Sequence, residues 1–92
     1  MKVACVIPLY NNAATILAVA GDCRRYLERV VVVDDGSSDL PPQFDHELQT
    51  MGVELIRHDR NRGKGAAIKS ALALLNRSDT DYMITIDADG QH

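Results

Sequence analysis

Acidic, amide and basic residues gather in four short segments, and each segment directly follows a run of apolar residues. The segments are residues 8–12 (Pro-Leu-Tyr-Asn-Asn), 34–38 (Asp-Asp-Gly-Ser-Ser), 57–64 (Arg-His-Asp-Arg-Asn-Arg-Gly-Lys) and 87–91 (Asp-Ala-Asp-Gly-Gln). Oxygen ligands in two of them suit a hard cation, and a basic loop before a helix suits phosphate. These residue types therefore indicate a site for a metal ion and a phosphorylated ligand.

The last segment carries the clearest metal chemistry. Asp87 and Asp89, at a strand end, can turn two carboxylates toward one site, and Gln91 adds a carbonyl oxygen. Such ligands favour Mg²⁺ or Mn²⁺, which keep positions open for substrate phosphates and offset the charge of a diphosphate leaving group. Turn formation and helix capping are the alternative role of these acids. Two acidic turns on one sheet edge would repel each other, which favours the metal.

Two further features leave their alternatives open. Gly63-Lys64-Gly65 precedes a helix, but the sequence has neither a Walker A loop nor a G-x-G-x-x-G fingerprint, so a phosphate contact and an ordinary turn are both compatible. Tyr10 follows the first apolar run. Its ring either stacks on a nucleotide base or packs at the edge of the domain.

The apolar pattern predicts four strands alternating with three helices. The predicted strands are 3–7, 30–33, 53–56 and 82–86, and the predicted helices are 12–27, 41–51 and 64–76. Asn11 or Asn12 should cap the first helix, and Gly21 should weaken it, which allows an earlier end near Asp22. Pro41 and Pro42 should occupy the first turn of the second helix, and Gly52 should stop it.

Strands joined by helices run parallel, so the order β-α-β-α-β-α-β predicts an open α/β sheet with helices on both faces. We expect the strand order 3-2-1-4, which puts a topological switch between the first and fourth strands. All four polar segments then share the carboxyl edge of the sheet, where such sheets bind ligands. The fourth strand lies at an exposed edge, which favours pairing with another chain.

Composition narrows the function classes. The 92 residues suit one domain, and a net charge of −3 argues against a nucleic-acid-binding module. The two cysteines do not have the spacing of a zinc site, so we expect them to be reduced, buried thiols. The sequence has no run of about 20 apolar residues, and its first residues do not show the pattern expected of a signal peptide. We therefore expect a soluble, cytoplasmic chain without a membrane segment.

The same segments resemble the motifs of family 2 glycosyltransferases. The matching stretches are residues 6–11 (Val-Ile-Pro-Leu-Tyr-Asn), 32–39 (Val-Val-Asp-Asp-Gly-Ser-Ser-Asp), 61–67 (Asn-Arg-Gly-Lys-Gly-Ala-Ala) and 87–92 (Asp-Ala-Asp-Gly-Gln-His). They occur in the family's order and cover essentially the whole chain. Their spelling is most similar to the polyprenyl-phosphate branch, which resembles dolichyl-phosphate mannosyltransferase.

The resemblance implies a GT-A fold, a UDP- or GDP-sugar donor and a divalent metal, Mg²⁺ or Mn²⁺. Pro8 and Tyr10 would line the base pocket, and Asp35 would hydrogen-bond the base. The implied nucleotide-sugar residues are Pro8, Leu9, Tyr10, Asn11, Asp34, Asp35, Gly36, Lys64, Asp87 and Ala88. The implied metal ligands are Asp87, Asp89 and Gln91, with Asp89 the principal one.

Family members continue well past the metal motif. We therefore expect residues 1–92 to be the donor-binding domain of a longer glycosyltransferase, without a catalytic base of its own and inactive alone. Its parent would be membrane-associated in some cases, with a polyprenyl phosphate as one candidate acceptor. A phospho-receiver-like module and a non-catalytic nucleotide-binding or interaction module of the same fold are the alternatives. The exposed sheet edge also suggests a homo-oligomer.

Overall fold

A computed structural model describes residues 2–88 of the chain. Strands and helices alternate through this part, as the apolar pattern predicts. The elements are β1 Val3–Leu9, α1 Ala13–Tyr26, β2 Arg29–Asp35, α2 Phe44–Met51, β3 Glu54–His58, α3 Lys64–Leu75 and β4 Tyr82–Thr85.

The strands form one sheet in the order β3-β2-β1-β4, and every neighbouring pair is parallel. The predicted fold class and strand order are therefore confirmed. The register sets Leu9 opposite Asp34, and Asp35 opposite His58. The polar residues that follow β1 and end β2 and β3 consequently meet at one edge of the sheet.

Two apolar layers cover the two faces of the sheet, and the alternation of side chains along each strand assigns residues to them. Val30 and Val32 of β2 pack in the layer with α1 and α2, whereas Val31 and Val33 pack in the layer with Ala67 of α3. The same alternation continues to the strand end. It turns the adjacent Asp34 and Asp35 toward opposite faces.

The first helix does not end near Asp22, as Gly21 suggested, but continues to Tyr26. The buried Cys23 holds its last turns against the core, and packing of this kind commonly outweighs intrinsic helix propensity. A Cβ at Gly21 would lie only 3.1 Å from Cε of Met51 on α2. The glycine therefore allows the two helices to approach closely.

The expected role of Pro41 and Pro42 is wrong, because both precede α2 and the helix begins at Phe44. The N–H of Phe44 donates to the Pro41 carbonyl over 3.1 Å, which closes a turn before the helix. The buried Phe44 ring then anchors the first helical turn in the core. Gly52 ends α2 at φ 76°, as predicted.

Strand ends also differ from the sequence prediction. β1 continues through Pro8 to Leu9, and β2 includes both aspartates at its end. Pro8 lies beyond the part of β1 that pairs with β4, so its missing N–H breaks no ladder bond on that side. β3 begins one residue later than expected and extends to His58.

Cys5 and Cys23 are free thiols in the core between β1 and α1, with 3.6 Å between their sulfur atoms. Burial raises the pKa of the Cys5 thiol to about 12, so the group stays protonated and packs as a small apolar side chain.

Within residues 2–88, no helix combines the length and apolar character that crossing a membrane requires.

Candidate functional site

A cavity of about 240 Å³ opens at the carboxyl edge of the sheet, between the end of β1 and the start of α3. Its walls come from all the segments singled out by sequence. The lining residues are Pro8, Leu9, Tyr10, Asn12, Asp35, Asn61, Gly63, Lys64, Ala67, Asp87 and Ala88.

Seven of the ten nucleotide-sugar residues implied by the resemblance line this cavity. They are Pro8, Leu9, Tyr10, Asp35, Lys64, Asp87 and Ala88. Asn11, Asp34 and Gly36 lie beside it and shape its surroundings instead. Asp89 and Gln91, two of the three expected metal ligands, fall outside the residues that the structure describes.

Asp35 forms the buried end of the cavity, with only 3% of its surface exposed. Its Oδ1 lies 2.7 Å from His58 Nδ1 and accepts the N–H of Arg62 over 2.9 Å. Its Oδ2 accepts the N–H of Gly63 over 2.8 Å. A carboxylate offers about four acceptor positions, so three donors leave one position on Oδ2 for a ligand.

The same contacts set the charge of Asp35. Burial acts to raise the pKa of Asp35, but the hydrogen bonds from His58 and from the N–H groups of Arg62 and Gly63 outweigh it. The net result is a pKa below the ordinary value of an aspartate. The cavity therefore contains an ionised carboxylate at neutral pH.

Asp34 points to the opposite face and shapes the turn that follows β2. Its Oδ1 accepts the N–H of Ser37 over 3.0 Å, and its Oδ2 accepts Nε of Arg57 over 3.1 Å. Arg57 also binds Asp45 of α2 through both terminal nitrogens, at 2.7 and 3.0 Å. Asp34 is thus a structural residue that ties β2 to β3 and α2.

Gly36 allows the β2 turn to pass close to the loop that follows β3. It has φ 81°, and a Cβ there would lie 2.4 Å from the Arg60 carbonyl carbon. Asn11, at φ 55°, joins the β1 loop to the same turn. Its N–H donates to Ser37 Oγ over 3.0 Å, and its side chain accepts the N–H of Ser38 over 2.9 Å.

The cap of α1 comes from a distant residue. Asn12 is the N-cap residue, but its side chain donates to the Tyr10 carbonyl over 3.2 Å instead of capping the helix. The carboxylate of Asp39 accepts the N–H of Ala13 over 3.1 Å. Asn12 lines the cavity together with the half-exposed Tyr10.

The opposite wall of the cavity is more open. Nζ of Lys64, at the start of α3, lies 2.9 Å from Oδ1 of Asp87, and both side chains are about half exposed or more. Thr15 of α1 donates its hydroxyl to the Ala88 carbonyl over 2.7 Å, which anchors the chain after β4. A cation and a carboxylate thus stand side by side at the cavity mouth.

The acids at the ends of β2 and β4 each have a nitrogen partner, and two of these partners, Arg57 and Lys64, are cations, so repulsion between these acids does not by itself require a metal. Asp34 pairs with Arg57, Asp35 with His58, and Asp87 with Lys64. Within residues 2–88, no group of three or more His, Cys, Asp or Glu side chains could hold a metal ion. Asp87 still offers a hard oxygen ligand at the cavity mouth.

Sequence reasoning missed the roles of His58, Asn12, Asn61 and Ala67. The last three line the cavity, whereas His58 does not line it and forms a hydrogen bond with Asp35. His58 ends β3 directly opposite Asp35, so exact register of the third strand would have identified it. Within the basic segment 57–64, Lys64 reaches the cavity, whereas Arg57 forms the ion pairs with Asp34 and Asp45.

Comparison with known sequences gives a family match over almost the whole chain. The sequence model described as glycosyl transferase family 2 matches residues 4–92. An uncharacterized protein of Methanocaldococcus jannaschii is 37% identical over 91 residues, covering 95% of this chain and 40% of that protein. UDP-N-acetylglucosamine–dolichyl-phosphate N-acetylglucosaminyltransferase of Methanococcus voltae is 29% identical over 102 residues, covering 95% of this chain and 41% of that enzyme. The chain thus spans about two fifths of these relatives.

Solved structures give the same fold. Glucosyl-3-phosphoglycerate synthase of Mycobacterium tuberculosis superposes with a TM-score of 0.72 at 22% identity, covering 95% of this chain and 33% of that chain. One of its structures contains Mn²⁺, UDP and glucosyl-3-phosphoglycerate, and another contains Mg²⁺ and UDP. At this identity the likeness establishes the fold.

Proposed function

The chain belongs to glycosyl transferase family 2, and we propose that its cavity binds the nucleotide of a UDP- or GDP-sugar whose sugar the whole protein transfers to an acceptor. Asp35 carries this proposal. It is an ionised, buried carboxylate with one acceptor position left, in a cavity shared with Pro8 and Tyr10. Uracil and guanine both have a ring N–H that such an oxygen accepts.

The remaining lining residues suit the rest of a nucleotide. Pro8 and the half-exposed Tyr10 offer apolar surface against which a base packs. Lys64 supplies a cation at the mouth of the cavity, at the N-terminus of α3, where a diphosphate finds both a positive charge and main-chain N–H groups. The base would lie deep in the cavity and the phosphates near its mouth.

We further propose that a divalent ion, Mg²⁺ or Mn²⁺, binds at Asp87 together with Asp89 and Gln91. Asp87 is a hard oxygen ligand that remains about half exposed at the mouth of the cavity. When bound, the ion would offset the negative charge of the diphosphate leaving group. The structures of the mycobacterial relative, which contain UDP with Mn²⁺ or Mg²⁺, support this choice of metal.

A polyprenyl phosphate is the acceptor that we favour. The Methanococcus voltae relative is named for transfer to dolichyl phosphate. A phosphate is already ionised at neutral pH, so this acceptor needs little help from a protein base.

Isothermal titration calorimetry with UDP and with GDP, each with and without Mn²⁺, tests the binding proposal. We expect one of the two nucleotides to bind, with higher affinity when the metal is present. Asp35→Asn should weaken that binding, whereas Asp79→Asn at the other end of the sheet, where Asp79 pairs with Lys2, should leave it unchanged. Folded protein that binds neither nucleotide under either condition would refute the proposal.

Self-association through β4 is a separate proposal. β4 is an outer strand of the sheet and exposes Tyr82 and Ile84. Such an edge offers unpaired main-chain groups and apolar side chains to a second copy. Sedimentation velocity should show a concentration-dependent dimer, and a monomer throughout the concentration series would contradict this arrangement.

A further inference from the structure

The buried ring of His58 joins two side chains that come from different elements. Nδ1 is 2.7 Å from Oδ1 of Asp35, and Nε2 is 2.8 Å from Oγ of Ser70. Strand register and face explain the arrangement, since Asp35 and His58 pair across β2 and β3 under α3. Ser70 faces them from the middle of α3.

The ionised state of Asp35 fixes the direction of its hydrogen bond with His58. An ionised carboxylate only accepts, so the proton between Asp35 and His58 belongs to Nδ1. In neutral His58, Nε2 is then an acceptor, and the hydroxyl of Ser70 donates to it. Ser70 therefore completes the hydrogen bonding of His58 in the tautomer that Asp35 sets.

We propose that His58 and Ser70 are positioning residues of the nucleobase pocket, which hold Asp35 so that its free acceptor position on Oδ2 faces the cavity. This inference rests on the proposed nucleotide site. His58 and the N–H of Arg62 bind one oxygen, and the N–H of Gly63 binds the other. The carboxylate can rotate only by losing one of these bonds.

A carboxylate held in this way discriminates between bases. Uracil presents N3–H and guanine presents N1–H, and both donate to Oδ2. Cytosine and adenine present a lone pair at the corresponding ring nitrogen, which a fixed anionic oxygen repels. The preference for UDP over CDP, and for GDP over ADP, therefore reports the orientation of Asp35 and not only its presence.

The same Asp-His-Ser order occurs in serine hydrolases, but the surroundings here do not suit a nucleophilic serine. Ser70 lies inside α3, where the main-chain N–H groups are used by the helix. An acyl intermediate needs free N–H donors beside the nucleophile to stabilise its oxyanion. A hydrogen bond from Ser70 that positions His58 needs no such free N–H donors and is compatible with a place inside the helix.

Matched substitutions separate positioning from simple packing. His58→Asn keeps an N–H near the place of Nδ1, whereas His58→Gln moves the amide toward the place of Nε2 and away from Asp35. Ser70→Ala removes the hydroxyl, and Ser70→Thr keeps it. His46→Gln and Thr50→Ala on α2 are the controls, because neither residue lines the cavity.

Titration calorimetry of each folded variant with UDP, CDP, GDP and ADP in the presence of Mn²⁺ provides the test. We expect His58→Gln to weaken binding of the preferred nucleotide about tenfold and Ser70→Ala about fivefold. The preference over CDP or ADP should shrink by similar factors. His58→Asn, Ser70→Thr and both controls should stay within about twofold of the wild type.

Two results would overturn the inference while leaving the proposed function intact. One is a Ser70→Ala protein that binds as tightly and as selectively as the wild type. The other is an equal loss for both members of a nucleotide pair, since that would indicate general damage to the cavity. Failure of the wild-type protein to bind UDP and GDP would instead refute the proposed function itself. Circular dichroism establishes that each variant is folded, and Ser70→Ala carries the test if the His58 variants do not fold.

Discussion

The two acidic segments at the carboxyl edge are held in opposite ways. Asp35 ends the central strand β2, its side chain is 5% exposed, and two residues of the loop between β3 and α3 together with His58 fix both its oxygens. Asp87 follows the short outer strand β4, its side chain is 47% exposed, and it pairs with the flexible amine of Lys64. The cavity therefore has a fixed wall, formed by Asp35, and an adaptable wall, formed by Lys64 and Asp87.

This contrast follows from the positions of the strands. A central parallel strand is covered on both faces and paired on both sides, so the groups at its end meet many neighbours. An outer strand has fewer neighbours and leaves its end accessible to solvent. For the proposed nucleotide, a preorganised pocket would lower the cost of binding, and for the proposed metal, an accessible acid could release its lysine.

Two glycine substitutions should show the largest difference between the walls. Gly36→Ala forces a Cβ into the main chain of Arg60 at an unfavourable φ, and we expect a loss of about 3 kcal/mol in unfolding free energy. Gly65→Ala, at the start of α3, meets no atom within 4 Å and should be neutral or stabilising by up to about 1 kcal/mol. Urea denaturation measures both, and equal losses would contradict the contrast.

Replacing Asp35 and Asp87 in turn by asparagine should give the next largest difference in unfolding free energy between the two walls. Asp35→Asn leaves an amide facing buried N–H donors, so unfolding free energy should fall by about 2 kcal/mol. Asp87→Asn breaks an exposed ion pair and should change it by less than about 0.5 kcal/mol. The same denaturation experiment compares them. A larger loss for Asp87→Asn would reverse the assignment of fixed and adaptable walls.

Lowering the pH should remove the contribution of Asp35 to the free energy of unfolding. The pKa of Asp35 is lowered in the folded protein, so its stabilisation is complete above the ordinary aspartate pKa of about 3.9. It declines as the pH falls below that value and is lost once the pH passes the lower folded pKa. Asp35→Asn should therefore flatten the acid limb of stability against pH.

Asp45 provides a comparison for the acid experiment. The hydrogen bond from Arg57 lowers the pKa of Asp45 in the same direction, but this carboxylate is mostly exposed. Asp45→Asn should therefore flatten the acid limb less than Asp35→Asn. An equal or larger effect would show that burial of Asp35 does not strengthen its contribution.

The adaptable wall should matter for binding more than for stability. Lys64→Ala should weaken the affinity for UDP or GDP about tenfold in calorimetry and reduce its dependence on NaCl. Its unfolding free energy should stay within about 0.5 kcal/mol of the wild type. Lys69→Ala, also on α3 but outside the cavity lining, is the matched control. Equal losses for both variants would indicate a general effect of charge.

Sequence predicted the fold and the meeting of polar strand ends at one edge because both follow from order along the chain. Apolar runs locate the strands, and the parallel arrangement brings their polar ends together. Family motifs then named most of the residues that line the cavity. The helix starts were less predictable, as the turn at Pro41 and the cap from Asp39 show, because each depends on a contact formed only in the fold.

The residues that hold Asp35 in place could not be predicted from the sequence either, because their contacts also form only in the fold. They require the exact register of β3, which sets His58 opposite Asp35, and a loop path that returns the N–H groups of Arg62 and Gly63 to the end of β2. Gly36 makes that close approach sterically feasible. Composition and spacing specify none of these distances.

Backbone ¹H–¹⁵N chemical-shift mapping with UDP and GDP in the presence of Mg²⁺ tests the central claim most directly. We predict that one nucleotide shifts the amide signals of Tyr10, Asn61, Gly63 and Lys64 around the cavity and leaves those at the opposite end of the sheet, such as Arg29 and Thr80, unchanged. No shifts with either nucleotide, or shifts confined to that opposite end, would contradict the assignment of a nucleotide-sugar site to the carboxyl edge.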